Sequence, residues 1–156
     1  MNELQSWLTN IKRWYQPREH RNTNILVNAI SNAPNAVFGP IETNEHSEAL
    51  AYWLDACHRL STYYQNKSGL DKAFSYLQFP YAKLQEMACN PELDMVMKRW
   101  CLKKLDRMIV AMTEFCQRQP DTRWQHENAQ LIELHVSFMQ GQNDLNLSYS
   151  SLAGSN

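Results

Sequence analysis

Long stretches of this chain repeat apolar residues at the helical period, and very little interrupts them. Four glycines and six prolines punctuate 156 residues, and the segments between them show no sustained alternation of the kind a half-buried strand needs. The expected fold is therefore all-α: a single-domain bundle of five to six helices over residues 1–140, followed by a flexible polar tail over 141–156. Five Trp, seven Tyr and five Phe supply too much large apolar surface for a disordered chain. At this length a core forms without a disulfide or a metal.

The helices can be placed from their apolar faces. Leu4, Trp7, Leu8, Ile11, Trp14 and Tyr15 recur at helical spacing from an Asn2 cap up to Pro17. A short second helix carries Ile25, Leu26, Ala29 and Ile30 and ends before Pro34, with 34–40 as a loop. The third starts at Thr43 or Asn44 with Glu45 and Glu48 near the positive end of its dipole. It runs to Lys67 with Ala49, Leu50, Trp53, Leu54, Cys57, Leu60 and Tyr64 inward. Leu70, Phe74, Leu77, Tyr81, Leu84 and Ala88 continue in unbroken phase through Pro80, which predicts one kinked helix rather than two short ones. Asn90-Pro91-Glu92 has the chemistry of a helix start, a capping residue followed by proline. The fifth helix should run from there to Arg118. Its apolar arc, with Leu93, Met97, Cys101, Leu105, Met108, Ala111, Met112 and Phe115 and widened by Leu102, Ile109 and Cys116, approaches half the circumference and marks it as central. A sixth helix, capped by Asp121, carries Trp124, Leu131, Leu134, His135, Phe138 and Met139 and closes before Gly141, and the Gln-, Asn- and Ser-rich remainder is expected to be mobile.

Motifs for chemistry are sparse. No Gly-rich phosphate loop or nucleophile elbow occurs. His126-Glu127 starts like a zinc-protease motif, but Gln130 stands where the second histidine ligand belongs. Asp55 and His58 have the spacing of one half of a di-iron bundle site, yet no Glu-x-x-His follows anywhere, so a helix-surface pair is expected. Cys57, Cys89, Cys101 and Cys116 occur singly and read as reduced thiols, with Cys57 and Cys101 on apolar faces. His135 lies on an apolar stripe and is expected as a hydrogen-bonded core residue. No catalytic residue, cofactor or metal is assigned.

Charge placement says more. With 15 Lys+Arg against 16 Asp+Glu, the chain lacks the basic excess of a generic nucleic-acid or membrane-surface binder. The balance is achieved by cancellation. Lys12, Arg13, Arg18 and Arg21 cluster with Trp14, Tyr15 and His20, whereas Glu42, Glu45, Glu48 and Asp55 follow in a stretch without Lys or Arg. The simplest consequence is internal neutralisation. Arg99, Lys103 and Arg107 form a basic row on the fifth helix, with Asp106 available to relieve its repulsion. Trp7, Trp14, Tyr15, Tyr52, Tyr63, Tyr64, Tyr76 and Tyr81 exceed what one stripe per helix can bury, and such rings favour binding surfaces.

These features point to a non-enzymatic regulator or adaptor that binds another protein. Its candidate contact residues are Trp14, Tyr15, Arg18, Arg21, Tyr63, Arg99, Lys103 and Arg107. An accessory nucleic-acid-binding protein using the basic N-terminal patch is the alternative, and a small enzyme ranks third. No apolar run reaches the roughly 18–20 residues of a membrane span, and Met1 to Gln5 lack the basic start of a signal peptide. A cytoplasmic location follows, and the compact build suits a bacterial protein.

Overall fold

The computed structural model describes the backbone of residues 2–16 and 22–154, and the side chains as far as Gln142. Among these residues the chain is all-α. Its helices are α1 (Glu3–Trp14), α2 (Thr23–Ser31), α3 (Asn44–Asn66), α4 (Leu70–Ala88), α5 (Met95–Gln117) and α6 (Thr122–Gly154), with a 3-10 turn over Asn35–Phe38. The chain forms two compact units, Met1–Leu105 and Asp106–Asn156.

In the first unit the helix starts are written in side-chain hydrogen bonds. The Asn2 side chain accepts from the Gln5 amide at 2.8 Å, and the Gln5 side chain accepts from the Asn2 amide at 3.1 Å. This reciprocal box satisfies two orphan donors of α1. Thr43 and His46 form the same box at the start of α3. α3 is the helix that α1, α2, α4 and the 3-10 turn all pack against. Small buried residues on it, Ala49, Ala56, Cys57 and Ser61, let neighbours approach. The Ser61 hydroxyl donates to the Ala73 carbonyl of α4 at 2.8 Å.

Tryptophans close this core and complete α2. Trp7 Nε1 donates to the Ala29 carbonyl at 2.8 Å, Trp53 Nε1 to the Ile30 carbonyl at 3.3 Å, and Trp14 Nε1 to the Asn22 carbonyl at 2.9 Å. The last carbonyls of a helix have no partner within it. Two indoles therefore satisfy the C-terminal turn of α2 while burying their rings. Gly39 then lets the loop pass close to Leu93: its φ is 116°, and a Cβ there would lie 2.8 Å from Leu93 Cδ1.

Several expectations are corrected. Asn90-Pro91-Glu92 builds a turn, in which the Asn90 side chain accepts from the Glu92 amide at 3.0 Å. Helix α5 starts later, at Met95, because Asp94 accepts from the Met97 amide at 2.8 Å and takes the capping role. Leu93 is buried ahead of it, within the loop. The helix shared by the elements of the first unit is α3, not α5. Pro80 sits inside a single α4, which excludes two short helices.

In the second unit Ile109, Met112, Phe115, Cys116, Trp124 and Leu131 are buried, and Phe115 meets Trp124 edge to face at 5.3 Å. Asp121 accepts from the Arg123 amide at 3.0 Å and caps α6, as expected. Met108 is only half-buried, while Ala111 and Leu134 are exposed. The apolar arc of α5 is thus narrower than its sequence suggests. α6 does not close before Gly141: its backbone continues to Gly154. A lone glycine in a helix costs about 1 kcal/mol relative to alanine, too little to end it, and nothing lies within 4 Å of its Cβ position. The side chains that would bear on a mobile tail, from residue 143 onward, lie outside the described residues.

Candidate partner-binding cleft

The end of α1, the start of α2 and the second half of α3 border an open cleft of about 420 Å³. Trp14, Leu26 and Leu60 supply its apolar lining, Thr23 adds a hydroxyl from α2, and Asp55, His58, Arg59, Thr62 and Asn66 line it from α3. Tyr63 stands at its edge and is 38% exposed.

Beside the cleft a polar cluster orders Arg59. Asp55 accepts from the Tyr15 hydroxyl at 2.5 Å and from Arg59 Nε at 2.7 Å. The guanidinium carbon lies 5.0 Å from the Tyr15 ring centre and 5.7 Å from that of Trp14, within the range of cation–π attraction. Trp14 and Tyr15 meet edge to face at 5.0 Å, and Tyr52 flanks Tyr15 at 4.9 Å. Burial pushes the Asp55 carboxyl up, but the Tyr15 hydroxyl and the Arg59 guanidinium outweigh it and hold the group below the ordinary aspartate value. Burial, followed by the hydrogen bond to Asp55, raises Tyr15 well above an ordinary phenol. The hydrogen bond to Asp55 likewise raises Arg59, against a smaller effect of burial. At neutral pH the cluster is an ion pair with a neutral phenol. With side chains 46% and 45% exposed, the pair itself contributes a few tenths of a kcal/mol, so its value lies in positioning.

The residues expected from sequence fall into separate groups. Trp14 and Tyr63 line the same cleft, and Tyr15 joins it through Asp55 and Arg59. Trp14 is 5% exposed, so it is a wall of the cleft rather than a protruding contact. Arg18 and Arg21 lie outside the described residues. Arg99, Lys103 and Arg107 are exposed on α5 and are not among the cleft-lining residues. Asp106 accepts from His135 Nε2 at 2.9 Å, so its partner is the buried His135 of α6 rather than the basic row. His135 is a core histidine with a hydrogen bond, as its stripe predicts.

Internal neutralisation is also visible. Lys12 pairs with Glu48 at 2.5 Å, and that hydrogen bond holds its ammonium above the ordinary lysine value. Gln5 Nε2 donates to Glu45 at 3.3 Å. The basic patch at the end of α1 is therefore weaker than its count of cations implies.

Arg59 and His58 line the cleft but are not among the contact residues expected from sequence. The Asp55–Arg59 pair, acid before base at i, i+4, is legible in sequence but is the commonest kind of surface pair. Its significance arises only when Tyr15 arrives from α1. Among the described residues no group of three or more His, Cys, Asp and Glu side chains is placed to hold a metal ion. Cys57 is fully buried and His58 exposed, so these sequence neighbours face apart. Burial raises the thiols of Cys57, Cys101 and Cys116, the last two to about 11.

Neither a curated protein nor a solved structure was found that matches the chain. A family described as a protein of unknown function (DUF2753) matches residues 27–146, a span that takes in α3, α4, α5 and every residue by which α3 lines the cleft. The chain belongs to the DUF2753 family.

Proposed function

We propose that this protein is a non-enzymatic adaptor or regulator of the bacterial cytoplasm, which works by holding a partner protein at the cleft beside Arg59 and Tyr63. The observation that carries the reading is the ordering of Arg59 before any partner arrives, by Asp55 and by two aromatic rings. Trp, Tyr and Arg dominate binding hot spots, and a side chain already held in place loses less entropy on association. A chain of ring contacts extends the surface from Tyr63 to Tyr64 at 5.2 Å, to Tyr76 at 5.7 Å and to Phe79 at 5.4 Å. Phe79 is 49% exposed.

Further support comes from Cys57, Cys101 and Cys116, whose raised thiols are poor nucleophiles at neutral pH. Free buried thiols also suit a reducing compartment, and among the described residues no helix is long and apolar enough to cross a membrane. The test is affinity capture from the native cell with nuclease treatment. The reading expects a protein that survives nuclease and is lost with Tyr63→Ala. Material that disappears on nuclease treatment would favour the nucleic-acid alternative, which uses the basic N-terminal patch that includes Lys12 and the exposed Arg13.

A further inference from the structure

The outward face of α5 mixes exposed apolar side chains with cations that nothing nearby neutralises. Val96, Trp100, Lys103, Arg107 and Val110 recur at steps of four, three, four and three, the spacing at which one helix presents a straight seam to another. Arg99 stands beside this seam, and all six residues are exposed. Val96 is 76% exposed and Trp100 40%. Three large apolar residues on one seam are not the scattered surface residues of an ordinary solvated helix.

Among the described residues none of Arg99, Lys103 and Arg107 makes an ion pair. The acids nearest to them in sequence are engaged elsewhere: Asp94 accepts from the Met97 amide, and Asp106 pairs with His135. Standing four residues apart, each cation repels the next. The face therefore favours an acidic occupant over water.

The apolar residues decide which acidic occupant fits. A nucleic acid could pair its phosphates with the cations and stack on Trp100, but it gains nothing from Val96 and Val110, which close the seam at its two ends. A membrane surface needs an unbroken apolar strip, and Lys103 and Arg107 interrupt this one. A second copy of the chain would bring its own three cations against Glu114, the acid that continues the seam, so like charges would meet. A helix with apolar residues at the ends of its own seam and carboxylates in the middle complements all six residues. Val96 to Val110 spans about 21 Å at 1.5 Å per residue, or about four turns of such a helix.

We infer that the outer face of α5 docks an acidic amphipathic helix of a partner protein, with Val96, Trp100 and Val110 packed against its apolar residues and Arg99, Lys103 and Arg107 paired with its carboxylates. None of these residues lines the cleft, so this second contact surface does not depend on the function proposed above.

The test titrates the full chain, with NMR detection, with a capped peptide of about three heptads that carries leucines at its outer seam positions and glutamates at the middle ones. A twin with glutamine for every glutamate, a thymidine oligonucleotide and phosphatidylglycerol vesicles are titrated in parallel. The glutamate peptide should shift the amides of Val96 and Val110 and the Trp100 indole. It should bind about tenfold more tightly than its twin, the scale of a charge-assisted hydrogen bond, and added salt should shrink that margin. Lys103→Gln combined with Arg107→Gln should abolish the margin without lowering Tm, because it removes repulsion between exposed cations. Trp100→Ala should weaken both peptides about tenfold.

Equal binding of the two peptides, no binding, or shifts centred on His58 and Arg59 would overturn the inference. Tighter binding of the oligonucleotide or the vesicles than of the glutamate peptide would also overturn it, as would a dimer in sedimentation that Trp100→Ala returns to monomer. The two readings fail separately. A captured partner that is lost with Tyr63→Ala leaves the cleft reading standing whatever the peptide does, and shifts on α5 without a captured partner leave this inference standing alone.

Discussion

Tyr15 and Asp55 lie 40 residues apart, and the hydrogen bond between them sets the chemistry of the cleft. Removing the hydroxyl with Tyr15→Phe should cost about 1 kcal/mol at neutral pH, a charge-assisted bond discounted for partial exposure, read from denaturant midpoints. The pH dependence has a definite sign. Asp55 titrates below its usual 3.8, so its contribution is present above that value and is lost as pH falls through the depressed one. Tyr15 titrates above its usual 10.0, so its contribution is complete below pH 10.0 and is lost as pH rises beyond it. Tyr15→Phe should abolish this alkaline loss and move the Asp55 carboxyl upward, which NMR titration would detect. Gly39→Ala should cost about 1–3 kcal/mol, since it combines a left-handed backbone with a contact on Leu93. At this scale sequence reading is good where the cause is local, as at the Asn2 and Asp121 caps. It fails where the partner comes from elsewhere: nothing near Arg59 announces Tyr15, and nothing near Asp106 announces His135.

Helical periodicity identifies which face of an element is apolar, but not how much of that face its neighbours cover. For α5 the sequence arc includes Met97, Met108 and Ala111, which are not buried, as well as Cys101, Leu105, Ile109, Met112, Phe115 and Cys116, which are. Met112→Asp, at a site 1% exposed, should therefore unfold the helix, because it buries an unpaired carboxylate. Met108→Asp should be tolerated at a fraction of that cost. Circular dichroism in denaturant distinguishes the two, and equal losses would contradict the burial pattern. The start of α5 teaches a related lesson. Asn followed by Pro favours a turn as well as a helix cap, and Asp94 settles the choice four residues later. Asp94→Ala should cost about 1 kcal/mol and increase hydrogen exchange at the Met97 amide, whose hydrogen bond it removes.

Over the whole chain a net charge of −1 conceals pairs made within the fold, among them Lys12 with Glu48 and Arg59 with Asp55. All-α architecture is legible from the scarcity of breakers and the unbroken phase of the apolar residues. The aromatic excess is legible as a count, but its division is not: Trp7, Trp14 and Trp53 close the core, whereas Tyr63 and Phe79 remain exposed. That division separates the rings that close the core from those exposed near the cleft and its ordered arginine, where the proposed partner binds. The most direct test replaces Tyr63 with a photo-reactive amino acid in the full chain, cross-links in the native cell, and identifies the adduct by mass spectrometry, with the same replacement at exposed His126 as control. The account predicts a cross-link to a partner protein from position 63, absent from position 126 and strongly reduced when Arg59→Gln is combined with it. An adduct to nucleic acid, or the same adducts from both positions, would contradict it.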